Sequence, residues 1–99
     1  MSKSFEDLMS KVTAVSRKKV SVACAQDDQV IEAVEEARVR GIADAILVGD
    51  KAKMEEIAKG LNVDLGNFEV IDEPDTIAAA HKAVELVHNG QADMYMKGL

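Results

Sequence analysis

Four short, almost uncharged apolar runs alternate with stretches whose apolar residues recur every three to four positions, and this alternation constrains the fold more than any other feature. The runs cover residues 20–25, 45–48, 68–71 and 93–96, and read as strands. Between them, Val30, Ile31, Val34 and Ala37 mark one helix, stopped by Gly41. Met54, Ile57, Ala58 and Leu61 mark a second. Ile77, Ala80, Val84 and Val87 mark a third, with Pro74 in its first turn and Gly90 as its stop. A further helix precedes the first strand, with Ser4 as N-cap and Phe5, Leu8, Met9, Val12 and Val15 at helical spacing. The order is therefore α followed by βαβαβαβ. No pair of strands is joined by a hairpin-length connection, and near-continuous apolar strands require cover on both faces. The expected fold is α/β, a three-layer sandwich with a four-stranded, mainly parallel sheet between helices.

Ninety-nine residues make a single domain spanning 1–99, and 47% apolar residues are enough for a core. The net charge of −6 excludes nucleic-acid binding through a general positive field. The one basic run, Arg17-Lys18-Lys19, follows the first helical segment, where cations offset a helix dipole. One cysteine, Cys24, rules out an internal disulfide and fits a reducing compartment. With no bilayer-length apolar run and no signal-peptide core, the expectation is a cytoplasmic protein without a membrane partner.

Gly41-Ile42-Ala43-Asp44 and Gly90-Gln91-Ala92-Asp93 echo each other, each leading into a strand. Turn chemistry explains this more simply than duplication: glycine takes the left-handed cap, and the acid sits in water before the strand begins.

In an open parallel sheet ligands bind beyond the carboxyl ends of the strands. Those ends carry Gln26-Asp27-Asp28, Gly49-Asp50-Lys51, Asp72-Glu73-Pro74 and Lys97-Gly98, a mostly anionic rim. Asp27, Asp50 and Asp75 each precede a helical run and read as N-caps, which occupy the amides a phosphate would need. There is no Walker or Gly-x-Gly-x-x-Gly sequence. Lys97 could present a positive charge to an anionic substrate, and Gly98 would allow close backbone approach. His81, Glu85 and His88 share a helical face, but no fourth ligand is indicated, so no metal site is expected. Cys24, in a buried strand, reads as a core thiol; the methionines read as core filler; Ser21 lacks the surroundings of a hydrolase nucleophile.

The run from Gly41 through Ala45-Ile46-Leu47-Val48 to Gly49-Asp50 resembles a βα unit of bacterial phosphate butyryltransferases and phosphate acetyltransferases. So do Lys19-Val20-Ser21-Val22-Ala23, Phe68-Glu69-Val70-Ile71-Asp72 and the closing Ala92-Asp93-Met94-Tyr95-Met96-Lys97-Gly98-Leu99, in the same order. The likeness spans essentially the whole chain and is closer to the butyryl branch. It implies the N-terminal portion of an isocitrate/isopropylmalate dehydrogenase-like fold, truncated from the first domain of a longer two-domain enzyme. It also implies transfer of an acyl group between coenzyme A and inorganic phosphate, with the thioester as substrate and no cofactor. Lys97 and Gly98 alone carry over, as cleft-lining residues; the catalytic residues would lie elsewhere. The family fold further implies that a strand from late in the sequence separates the third strand from the fourth. A shortened chain would then either leave strand edges open and self-associate, or pair its final strand in an order unlike the family's; a homo-oligomer is expected, as is inactivity of these residues alone.

Two other readings remain open on the residues. Asp27 and Asp28, Asp72, and Lys97 could form a receiver-like phosphoacceptor holding Mg²⁺, with Asp72 phosphorylated. Alternatively the chain is a stand-alone scaffold or binding module without catalysis.

Overall fold

The computed structural model describes residues 17–98, and the expected helix over residues 4–15 lies outside them. Four parallel strands form one sheet: β1 (Lys18–Ala23), β2 (Ala43–Gly49), β3 (Glu69–Asp72) and β4 (Met94–Lys97). They are connected by α1 (Asp28–Val39), α2 (Lys51–Leu61) and α3 (Thr76–His88), with a 3-10 turn at Leu65–Asn67 before β3. The spatial order is β3-β2-β1-β4. The α/β sandwich is thus as the alternation of apolar runs predicts, and within the described residues the sheet is wholly parallel.

The strand order corrects one expectation. The third and fourth strands are apart, but β2 and β1 lie between them rather than a vacancy for a later strand. After β3 the chain crosses back over the sheet through α3 and pairs β4 with β1, Val20 opposite Met94 and Ala23 opposite Lys97. No apolar edge is left open inside the sheet, and among the described residues the edges are β3 and β4.

Side chains alternate across the strands and so build two cores. On one face Val22 and Leu47 pack with Ile31 of α1 and Met54 of α2. On the other, Ile46 and Val48 pack with Ala79 and Leu86 of α3. Each large buried aliphatic contributes roughly 1.5–3 kcal/mol by leaving water. Among the described residues Ser21 is the one buried polar side chain, and its hydroxyl donates to the Ala83 carbonyl at 2.7 Å. This bond pins α3 across β1. Ser21→Ala is expected to cost about 1 kcal/mol, because the Ala83 carbonyl belongs to a helix turn that partly satisfies it. A shift of the urea midpoint measures the loss, and an unchanged midpoint would deny the bond its role.

Helix ends follow the sequence closely. Gly41 and Gly90 adopt φ of 73° and 78°, the left-handed region that costs glycine nothing. In both turns the two amides after the helix bond back: Gly41 to Arg38 and Ile42 to Ala37, then Gly90 to Val87 and Gln91 to Leu86. Asn62 closes α2 in the same conformation at φ 61°. The echo between the two glycine segments is accounted for by this shared geometry. Their acids, however, are not simply solvated. Asp93 accepts the Lys19 amide at 2.8 Å, and Asp44 pairs with Arg17 at 2.8 Å.

Arg17 also donates to the Arg38 carbonyl at 3.1 Å, at the carboxyl end of α1; the helix end that the basic run was expected to follow lies outside the described residues. Lys18 and Lys19 are already strand. Along α1, Glu35 accepts from the Arg38 guanidinium at 2.9 Å, and this hydrogen bond holds the Glu35 carboxyl below its ordinary value. Since the folded chain favours the ionised form, the pair supports folding above the usual carboxylate range and loses its effect as pH falls through the lowered value. Pro74 stands outside the helix rather than in its first turn, one residue before the Asp75 cap. Cys24 is buried but lies just past β1, where φ of 57° turns the chain away from the strand.

Candidate functional site

The connections leave β1 in one direction through β2 and β3 and return to its other side at β4, which makes the carboxyl ends of β1 and β4 the topological switch point. There the chain leaves β1 for α1, and Lys97 is followed by Gly98. Lys97 closes β4 beside Ala23, and its register places it on the α3 face of the sheet with Ser21 and Ala23. Gly98 follows, its amide donating to the Ala23 carbonyl at 2.7 Å. A side chain at Gly98 would run into the Cys24 carbonyl oxygen, so only glycine lets the backbones approach so closely. The left-handed turn at Cys24 therefore has a structural partner, namely the Gly98 backbone.

The rest of the carboxyl rim is tied to itself. Asp27, Asp50 and Asp75 cap the three helices by accepting from Val30, Lys53 and Ala78, as their position before helical runs predicts. Gln26 accepts the Asp50 amide through Oε1 at 3.1 Å, and Asp72 accepts the Lys51 amide at 3.2 Å. The three helix amino ends thus hold internal carboxylates where a phosphate would otherwise bind. Replacing Asp75 by alanine is expected to lower stability by about 1 kcal/mol, read as a fall in the thermal midpoint, while Asp75→Asn retains most of it.

The receiver constellation does not come together. Asp72 ends β3 and Lys97 ends β4, at opposite edges of the sheet with two strands between them. Three strand spacings put their backbones roughly 14 Å apart, too far for one phosphoryl site. Asp27 is engaged as a cap and Asp72 by the Lys51 amide. His81, Glu85 and His88 lie on α3 as expected, and Glu85 pairs with Lys82 at 3.1 Å. Among the described residues no group of three or more potential ligands is arranged for a metal ion.

A groove of about 290 Å³ runs beneath α1 over β2, β1 and β4, lined below by Ala45, Val20 and Met96 and reaching Gly98. Met94 and Met96 are therefore not core filler: both are exposed, as is Tyr95 between them. Their adjacency to β1 was the missing signal, since only the crossover places β4 there.

Comparison with known proteins agrees with this geometry. Residues 4–80 match the family described as Phosphate acetyl/butaryl transferase. The phosphate butyryltransferase of Clostridium beijerinckii is 52% identical over 99 residues, all of this chain and 33% of that protein. The phosphate acetyltransferase of Thermotoga maritima is 38% identical over 81 residues, covering 82% of this chain and 27% of that one. Among solved structures, a EutD phosphotransacetylase from Staphylococcus aureus superposes with a TM-score of 0.72 at 20% identity, covering 94% of this chain and 37% of that chain. This last likeness concerns the fold. The chain spans about a third of the length of the curated relatives it matches. No described helix is long and apolar enough to cross a membrane. With a family match over residues 4–80 and that identity along its full length, the chain belongs to the phosphate acetyl/butyryl transferase family.

Proposed function

We propose that this chain is the opening part of the first domain of a two-domain phosphate acyltransferase, which moves a butyryl or acetyl group between coenzyme A and inorganic phosphate. The observation that carries this reading is the 52% identity to phosphate butyryltransferases along the whole chain. In the reaction a phosphate oxygen attacks the thioester carbonyl, the new C–O bond forms, and the C–S bond breaks. The departing coenzyme A thiolate takes up a proton. No cofactor is needed, because the thioester supplies the activated acyl group.

Within that scheme Lys97 and Gly98 line the cleft. Their position at the switch point supports this, with Gly98 giving close backbone approach and Lys97 a cation beside it. The charge at the rim also explains what this segment lacks. Phosphate and coenzyme A are both polyanions, and Asp27, Asp50 and Asp75 put negative charge at the amino ends of all three described helices. The cations that stabilise the transferring group come from the other two thirds of the enzyme. The catalytic residues lie there too, in an isocitrate/isopropylmalate dehydrogenase-like fold, and the enzyme works in the cytoplasm.

A chimera tests the reading. This chain, substituted for the matching third of the Clostridium beijerinckii phosphate butyryltransferase, is expected to yield an enzyme releasing coenzyme A thiol from butyryl-CoA only when phosphate is present. A folded chimera without that activity would overturn the reading. Within the same chimera, Lys97→Met is expected to raise the KM for phosphate or for the thioester about tenfold or more, with the fold unchanged; unaltered constants would remove Lys97 from the cleft.

The enzyme is also a homo-oligomer. Support comes from Met94, Tyr95 and Met96, exposed on an edge strand and too apolar for a solvated rim. Sedimentation of the chain at several concentrations should show association, whereas a monomer at every concentration would remove this support.

A further inference from the structure

The β4 edge is complementary to itself: we propose that two copies of this chain pair there, β4 against β4, antiparallel about a two-fold axis at Tyr95. The inference rests on the homo-oligomer reading given above and assigns it a surface.

Among the described residues β3 and β4 are the edges of the sheet, and they differ in chemistry. β3 carries an exposed carboxylate at each end, Glu69 and Asp72. Antiparallel pairing of two such edges sets like charges against each other, which guards β3 against self-association. β4 has no such guard within the strand. Met94, Tyr95 and Met96 are 55%, 56% and 44% exposed. Side chains alternate, so Tyr95 shares the α3 face with Ser21 opposite it, whereas Met94 and Met96 lie on the α1 face with Val20 and Val22. The edge is therefore apolar on both faces of the sheet, and Met96 continues it into the groove beneath α1.

The flanking charges fix orientation and register. Residues 93–97 read Asp-Met-Tyr-Met-Lys, alike from either end except for opposite charges at the two tips. A two-fold axis at Tyr95 places Met94 opposite Met96 of the second copy, and Asp93 opposite Lys97 of the second copy. Both ion pairs form at once, because a two-fold contact uses every pair twice. Asp93 accepts the Lys19 amide through Oδ2 at 2.8 Å, which holds the carboxylate in place and leaves Oδ1 for the lysine. The backbone agrees. The Asp93 amide donates to the Lys19 carbonyl of β1 at 2.7 Å, so Asp93, Tyr95 and Lys97 turn their peptide groups to β1 while Met94 and Met96 turn theirs to the open edge. In this register each Met94 exchanges both backbone hydrogen bonds with the opposing Met96. A slip of two residues loses both ion pairs.

Sedimentation equilibrium on the full chain tests this without substrate, and so apart from the part Lys97 plays in the cleft. A dimer is expected, with no larger species, since a two-fold contact closes on itself. Lys97→Asp sets carboxylate against carboxylate and is expected to raise the dimer dissociation constant about tenfold or more. Asp93→Lys does the same with ammonium groups, and mixing the two variants restores a dimer containing one copy of each. Amide exchange gives a second readout that needs no variant: the Met94 and Met96 amides slow as concentration rises, while those of β3 do not. A dimer insensitive to Lys97→Asp, or one that protects β3, would overturn this surface and leave the homo-oligomer reading standing. A monomer at every concentration removes both. Growth beyond a dimer also overturns the proposal, because it requires a contact that does not close.

Discussion

The 99-residue chain alone, given butyryl-CoA or acetyl-CoA and phosphate, will form no acyl phosphate above the uncatalysed background. The reason is electrostatic. Attack on the thioester builds negative charge on the carbonyl oxygen beside a phosphate that is already an anion, and each oriented donor at such a centre is worth about 10²–10³ in rate. In this segment the helix amino ends that could serve are filled by Asp27, Asp50 and Asp75, and the Lys51 amide is bound by Asp72. Lys97 offers one cation at the switch point. On the reading proposed above the remaining donors belong to the rest of the enzyme, and without them the deficit multiplies to a rate below detection. A thiol-release assay on the folded chain decides the matter. Turnover within a factor of ten of the chimera described above would show that a complete site exists in these residues.

Gly98→Ala will loosen the carboxyl end of β4. The added carbon would overlap the Cys24 carbonyl oxygen and crowd the Ala23 carbonyl, and both obstacles are backbone, which cannot rotate aside. Either the hydrogen bond from the Gly98 amide to Ala23 stretches or the turn at Cys24 shifts. Overpacking of this sort costs about 1–3 kcal/mol. For 99 residues the whole stability is on the order of 5–15 kcal/mol, so the loss is a sizeable share of it. A lower urea midpoint and faster amide exchange at Met96 and Gly98 are the expected results, with β2 and β3 amides following the global loss only. Placed in the chimera, the same change moves Lys97 and cuts activity more than its stability cost explains. A neutral midpoint with unchanged exchange would mean that the two backbones do not meet so closely.

Much of the fold was legible because its determinants are local. Strand positions follow from runs such as Ala45-Ile46-Leu47-Val48, which bury both faces at once, with Leu47 in one core and Ile46 in the other. Asp27, Asp50 and Asp75 announced the helix starts, and Gly41 and Gly90 the stops, since caps need particular side chains at particular backbone angles. The 3-10 turn at Leu65–Asn67 escaped notice, being a single turn with no periodicity to detect. Pro74 stands two residues ahead of the first helical position, Thr76, because the Asp75 cap, not the proline, sets the start of α3.

The candidate site was legible only in part. Lys97 and Gly98 could be assigned to the ligand edge from sequence, because parallel strands all present their carboxyl ends to one side. Which strand stands beside Lys97 could not, and the gap that the family resemblance implied between the third and fourth strands is filled by β2 and β1. A receiver site with Asp72 was conceivable for the same reason, and the strand order alone dismissed it.

The amino-acid sequence by itself determined the kind and order of the elements, the parallel sheet, the capping of every described helix and the family. All of these depend on residues within a few positions of one another, or on direct comparison along the chain. Tertiary structure decided that β4 crosses to the far side of β1, that Cys24 and Gly98 meet, and that an apolar groove is left under α1. Those outcomes depend on how strands of similar apolar character choose among partners distant in sequence, and that choice is made by the packing of whole faces rather than by any local pattern.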